Sequence, residues 1–272
     1  MVELSLVLPR QPDDRWDLAR QMGVTKAVVH PLEVGDDKTQ WSYDDLLGTK
    51  NWLENAGLEF AVLEGSVPIS DRIRLGREGR DEDIATFKRF LRNCGEVGVP
   101  VVCYDWMAGV RWARTEAHVD SRGGSLVTGY DDAKMGDGPA TDAADVSREG
   151  LWEAIEYFLS EVVPVAEEAG VKLALHPDDP PRESVRGIPR IANSVENYDR
   201  ILDVYDSEYN GVTFCQGNFA AMGVDIPETV RHFGEKINFA HFRDVEGDAD
   251  RFVETWHDDG PTDMQAAMDA FV

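Results

Sequence analysis

Short β-branched, apolar runs alternate with longer amphipathic stretches along almost the whole chain, which predicts an α/β fold: a parallel sheet covered by helices. Two further observations sharpen this expectation. The runs are close to continuously apolar, as strands buried on both faces must be. The length of 272 residues also suits one (βα)-barrel domain, and a hydrophobic fraction of 42% can fill its core without disulfides. The three cysteines, Cys94, Cys103 and Cys215, are odd in number and widely spaced, so no disulfide framework is expected.

Taken in order, the expected strands are Glu3–Leu8, Lys26–His30, Glu59–Glu64, Pro100–Tyr104, Lys172–His176, Gly211–Cys215 and Lys236–Phe242. Helices are expected over Asp14–Met22, Tyr43–Asn55, Asp81–Glu96, Val146–Glu168, Val195–Tyr205 and Ile226–Phe233. Gly57 and Gly170 stand where two of them should stop. A TIM-type (βα)8 barrel closes with eight strands, and this pattern supplies seven. A loop, Asp244–Gly260, and a helical start at Pro261 then carry the chain to Val272. The expectation is therefore a single barrel domain over residues 1–272 with its eighth strand missing at the C-terminus. Residues 111–144, rich in Gly, Asp, Ser and Thr, are expected as a long lid-like loop over the face where barrel enzymes keep their active sites.

Charge excludes some partners. With 52 acidic against 27 basic residues the net charge is -25, a field that repels nucleic acid and anionic lipid. Asp outnumbers Glu and Arg outnumbers Lys, a halophilic-type acidic surface suited to a high-salt cytoplasm. No apolar run is long enough to span a membrane, and the N-terminus lacks the pattern of a secretory signal, so a cytoplasmic protein is expected.

Three consecutive expected strands end in metal-binding side chains: His176 in LALHPDDPP, Cys215 in TFCQGNF and His241 in AHFRDV. A lone His at a strand end is more often a hydrogen-bonded core residue, and a lone Cys a small hydrophobe. Three in register on successive strands can instead converge on one ion. Two imidazoles and a thiolate suit Mn(II), Fe(II), Co(II) or Zn(II) better than oxygen-loving Mg or Ca. Candidates for contact with a small anionic substrate are Arg243 beside His241, Asp178 and Asp179 after His176, Arg111 in the lid segment, and Tyr104 at a strand end. Arg190, Glu64, Asp105 and His30 are weaker candidates. No phosphate loop or dinucleotide motif sits in the required strand–loop–helix setting.

These motifs, with IPRI, WART and GREGRDEDIATFKRFLRNCGEVGVPVVCYDWM, resemble the D-mannonate dehydratase family from about Leu4 onward. The resemblance implies a (βα)-barrel, Mn(II), and dehydration of D-mannonate to 2-keto-3-deoxy-D-gluconate in hexuronate catabolism. It implies metal ligation by His176, Cys215 and His241. It also implies a fourth ligand and proton-transfer residues on a last strand beyond Val272. Two alternatives stay open at this point: a related metal-dependent sugar isomerase or epimerase, and a truncated, inactive homologue. Cys215 weighs against the first, because those sites lean on carboxylate ligands. The missing strand favours the second, and an exposed gap there would promote association into a homo-oligomer.

Overall fold

The computed structural model describes residues 2–30, 42–65, 67–136, 138–139 and 141–272. Along the chain come β1 (Ser5–Leu8), β2 (Lys26–Val29), β3 (Glu59–Glu64) and β4 (Val101–Asp105), then an antiparallel pair, β5 (Glu116–Asp120) and β6 (Leu126–Asp131). Next come β7 (Lys172–His176), a small hairpin of β8 (Ser184–Val185) and β9 (Ile188–Pro189), and then β10 (Asn210–Cys215) and β11 (Ile237–His241). A last antiparallel pair, β12 (Asp244–Gly247) and β13 (Arg251–Thr255), precedes the final helix, Met264–Phe271.

Seven strands form one parallel sheet in the order β1-β2-β3-β4-β7-β10-β11. These are the seven read from the sequence, with ends shifted by a residue or two. Helices cover the outer face, as sheets buried on both sides require. Arg80–Val97 buries Ile84, Phe87, Leu91 and Cys94 at helical spacing, and Phe87 meets Phe158 of Arg148–Ala169 with ring centroids 5.2 Å apart. Each of these two helices ends at a glycine with positive φ, Gly98 and Gly170, which lets the chain turn back into the next strand without Cβ strain. Among the described residues β1 and β11 are the outer strands of the sheet.

Two expectations need correction. Among the described residues, neither 111–144 nor 244–260 is plain loop. Part of each segment pairs with the other in a second, four-stranded antiparallel sheet ordered β12-β13-β6-β5. Tyr130 and Phe252 stack with centroids 5.8 Å apart and bury a small core with Ala113, Ala221 and Val245. The β6–β13 pairing joins residues more than a hundred positions apart, so neither strand alone carries the apolar alternation of a half-buried strand. The short helices Asp71–Arg74 and Gln216–Ala221 were also not anticipated.

Candidate metal centre

Strand geometry decides which side chains meet. Successive residues of a strand point to opposite faces, and inside the curled main sheet Val28, Val62 and Cys103 form a small apolar layer with Phe239 against it. Two residues further along come Glu64 on β3, Asp105 on β4 and His241 on β11, while His176 and Cys215 end β7 and β10 and His30 follows β2. All six line one cavity of about 570 Å³.

Within this layer the donor atoms of His176, Cys215 and His241 lie within 4.8 Å of one another. Cys215 and His241 are register partners on adjacent strands, and the two imidazole centroids are 5.1 Å apart. Metal–ligand bonds of about 2.0–2.3 Å allow donors on one ion to stand roughly 4.5 Å apart, so the triad is already close to closing distance. His176 Nδ1 is 2.7 Å from the Pro177 carbonyl, a partner that fixes the tautomer and leaves the Nε2 lone pair free. His241 Nε2 is 3.1 Å from Glu64 Oε1. The donor set and its outer partners therefore fit a divalent transition metal.

The electrostatics agree with that fit. Burial opposes ionisation of Cys215, yet the Arg243 and His176 charges beside it hold the thiol well below its ordinary value. Burial likewise opposes charging of His241, but its hydrogen bond to Cys215 and the charge there raise it to about 10. His176 is raised too, against burial, by Cys215. Glu64 is desolvated, but hydrogen bonds from His241 and His30 keep it far below the usual carboxylate range. A divalent cation must displace the imidazole protons to bind. Because the thiolate is formed and His241 titrates near 10, metal affinity should rise with pH from about 6 to 9, with proton release on binding. Isothermal titration in buffers of different ionisation enthalpy measures that proton count; a pH-independent affinity with no proton released would contradict it.

Beside the triad lies a buried ion network. Arg114 clamps Asp179 with two bonds of 2.5 and 3.0 Å and reaches Glu254 at 3.1 Å. Arg243 contacts Cys215 Sγ at 3.3 Å, Asp179 at 3.3 Å, and both Glu254 and Asn218 at close range. Burial works against the Asp179 carboxylate, but Arg243 and Arg114 hold it below its ordinary range. Asp105 is likewise kept low, against burial, by Arg74 and Arg111.

The candidate substrate contacts divide. Arg111, Asp179 and Arg243 line the cavity. Arg111 leans on Asp105 with its side chain 40% exposed, so it keeps donors for a ligand. Tyr104 borders the cavity, but strand alternation turns its ring away from Cys103 and Asp105 and packs it on Phe158, centroids 6.0 Å apart. Asp178 is not among the lining residues. Its carboxylate accepts from Ala192 N at 2.8 Å, and burial, opposed by Arg190, raises it to about 6. Arg190 is spent on the Ala108 and Val110 carbonyls. Arg114 and Glu254 were missed from sequence because their contact spans 140 positions. Glu64 and Asp105 carried a local signal, each ending a strand on the inward parity.

Comparison with known proteins places this architecture. Residues 15–143 and 140–272 match the family model for D-mannonate dehydratase (UxuA). A mannonate dehydratase of Streptococcus pneumoniae is 35% identical over 277 residues, covering 90% of this chain and 74% of that protein. The crystal structure of mannonate dehydratase from Streptococcus suis serotype 2 superposes with a TM-score of 0.90 at 33% identity, covering 99% of this chain and 81% of that one. A xylose isomerase domain protein from Planctomyces limnophilus, with a TM-score of 0.62 at 12% identity over 98% of this chain and 85% of its own, shares the TIM-like fold alone. On the family match and these identities, the chain belongs to the D-mannonate dehydratase family.

Proposed function

We propose that this protein dehydrates D-mannonate to 2-keto-3-deoxy-D-gluconate, in hexuronate catabolism, with a divalent metal, Mn(II) foremost, held by His176, Cys215 and His241. The supporting observation is the convergence of those three donors in a cavity that also presents a partly free arginine, Arg111. Fe(II), Co(II) and Zn(II) suit the same donors. The protein is proposed to work in the cytoplasm on a small sugar acid, and its net charge of -25 fits a high-salt interior.

The reaction removes the C2 proton and the C3 hydroxyl as water, and the enol left behind tautomerises to the 2-keto acid. A bound divalent ion would stabilise the negative charge that develops on the substrate carboxylate and 2-hydroxyl oxygens. Arg111 would orient the far end of the substrate through the donors that Asp105 leaves free. Glu64 accepts from His241 and His30, and His30 Nε2 stands 3.4 Å from Glu64 with its side chain half exposed. Trp112 and, from the second sheet, Glu254 line the same cavity. Closure into a (βα)8 barrel would take one further strand between β1 and β11. A fourth ligand and the main proton-transfer groups are proposed to belong to such a strand, and the protein is proposed to form a homo-oligomer.

The test is conversion of D-mannonate in molar KCl, by this chain and by a version extended through one more strand, each with chelator and with added Mn(II). Keto-acid formation that a chelator stops and Mn(II) restores is the expected result. Its appearance only in the extended chain would put proton transfer on the added strand. Mn(II) binding without product in either would sink the dehydratase proposal.

A further inference from the structure

We propose that Arg243 is a positioning residue for the Cys215 thiolate, and that the second sheet, through Glu254, fixes where Arg243 stands. This rests on the proposed metal centre and goes beyond its three ligands. Four hydrogen bonds run from the Arg243 guanidinium to protein acceptors: Nε to Cys215 Sγ, Nη1 to Glu254, and Nη2 to Asp179 and Asn218. A guanidinium has five N–H donors, so little is left for a substrate. Arg243 serves the protein itself.

The arrangement is a closed ring of alternating charge. Arg243 bridges Asp179 and Glu254 on one side, and Arg114 bridges the same two carboxylates on the other. Arg114 is 4% exposed and Asp179 2%, while Arg243 and Glu254 are each 22% exposed, so the ring is buried on one side and open to the cavity on the other. Asp179 follows β7, Arg243 follows β11, Arg114 precedes β5, and Glu254 belongs to β13. The ring therefore bolts the second sheet onto the strand ends that carry the ligands. Gly217 completes the fit, since a Cβ there would come within 3.1 Å of Arg243 Cζ and Nε.

The consequence falls on sulfur. Nε stands 3.3 Å from Sγ, and Sγ also lies 3.0 Å from Asn218 Oδ1, which accepts from Arg243 Nη2 as well, so the guanidinium holds the sulfur and its neighbour together. A charge-assisted hydrogen bond also withdraws electron density from the thiolate. Without it, sulfur donates more strongly but is held less firmly in direction, as happens when outer partners of a ligand are lost.

Co(II) titration of the whole chain reads this directly, through affinity and through the thiolate-to-cobalt charge-transfer band. Arg243→Lys keeps the charge but loses the fork, and Glu254→Gln keeps the acceptor but loses the charge. Circular dichroism confirms folding, and should Arg243→Lys fail to fold, Glu254→Gln carries the test. Each folded variant should bind Co(II) about 10–100-fold more weakly, with the band moved to lower energy. Unchanged affinity and band in the folded variants would overturn the assignment of Arg243. Absence of any thiolate band in the unaltered protein would overturn the metal centre, and this inference with it.

Discussion

On the proposed ligation, Cys215→Ser will lose metal binding by well over the roughly 10–100-fold that outer partners cost, and dehydratase activity with it. Serine keeps the shape but not the ligand. A hydroxyl stays protonated near neutral pH, whereas the Cys215 thiol is drawn well below its ordinary value by Arg243 and His176 against the pull of burial. The substitution also leaves the Arg243 Nε–H, now 3.3 Å from sulfur, facing a neutral group. Fold stability should change far less, because Cys215 is one buried side chain among many and lines the cavity. Metal content after dialysis, together with an unfolding curve, separates the two effects. A variant that retains stoichiometric Mn(II) and full turnover would remove Cys215 from the ligand set.

Asp179→Ala should be the most destabilising single change near the site, costing about 3–5 kcal/mol as buried pairs do when one partner is removed. Asp179 is 2% exposed and takes both guanidiniums, Arg114 and Arg243. Its removal leaves those two cations with Glu254 as the remaining carboxylate of the ring. Such a loss is a large share of the 5–15 kcal/mol that typical domains possess. The sign of the pH dependence follows from the lowered carboxyl. Its stabilisation is present above the unfolded value of about 3.9 and is lost as pH falls through the lower folded value. The deficit of the variant should therefore shrink on acidification. Denaturant unfolding at pH 7 and at pH 3 tests both points, and a loss below about 1 kcal/mol at pH 7 would mean that the ring holds little.

The sequence by itself determined the seven main strands, most of the long helices, and the three side chains that end consecutive strands. Each of these depends on local pattern: apolar runs between caps, and a parity of two that carries His176, Cys215 and His241 to the same face. A final helix was legible too, with its start read at Pro261, whereas it begins at Met264 behind the Asp263 cap. Tertiary structure alone decided the second sheet, because β6 and β13 find each other across more than a hundred residues and neither is a strong strand in isolation. It also separated neighbours that the sequence leaves equivalent. Tyr104 and Asp105 both end β4, yet one faces the helices and the other the cavity. Asp178 and Asp179 are adjacent, yet one secures the backbone at Ala192 and the other joins the ring of arginines. Such choices depend on which groups a turn meets in three dimensions. Those meetings span 14 positions for Asp178 with Ala192 and 65 for Arg114 with Asp179, beyond the reach of any local pattern.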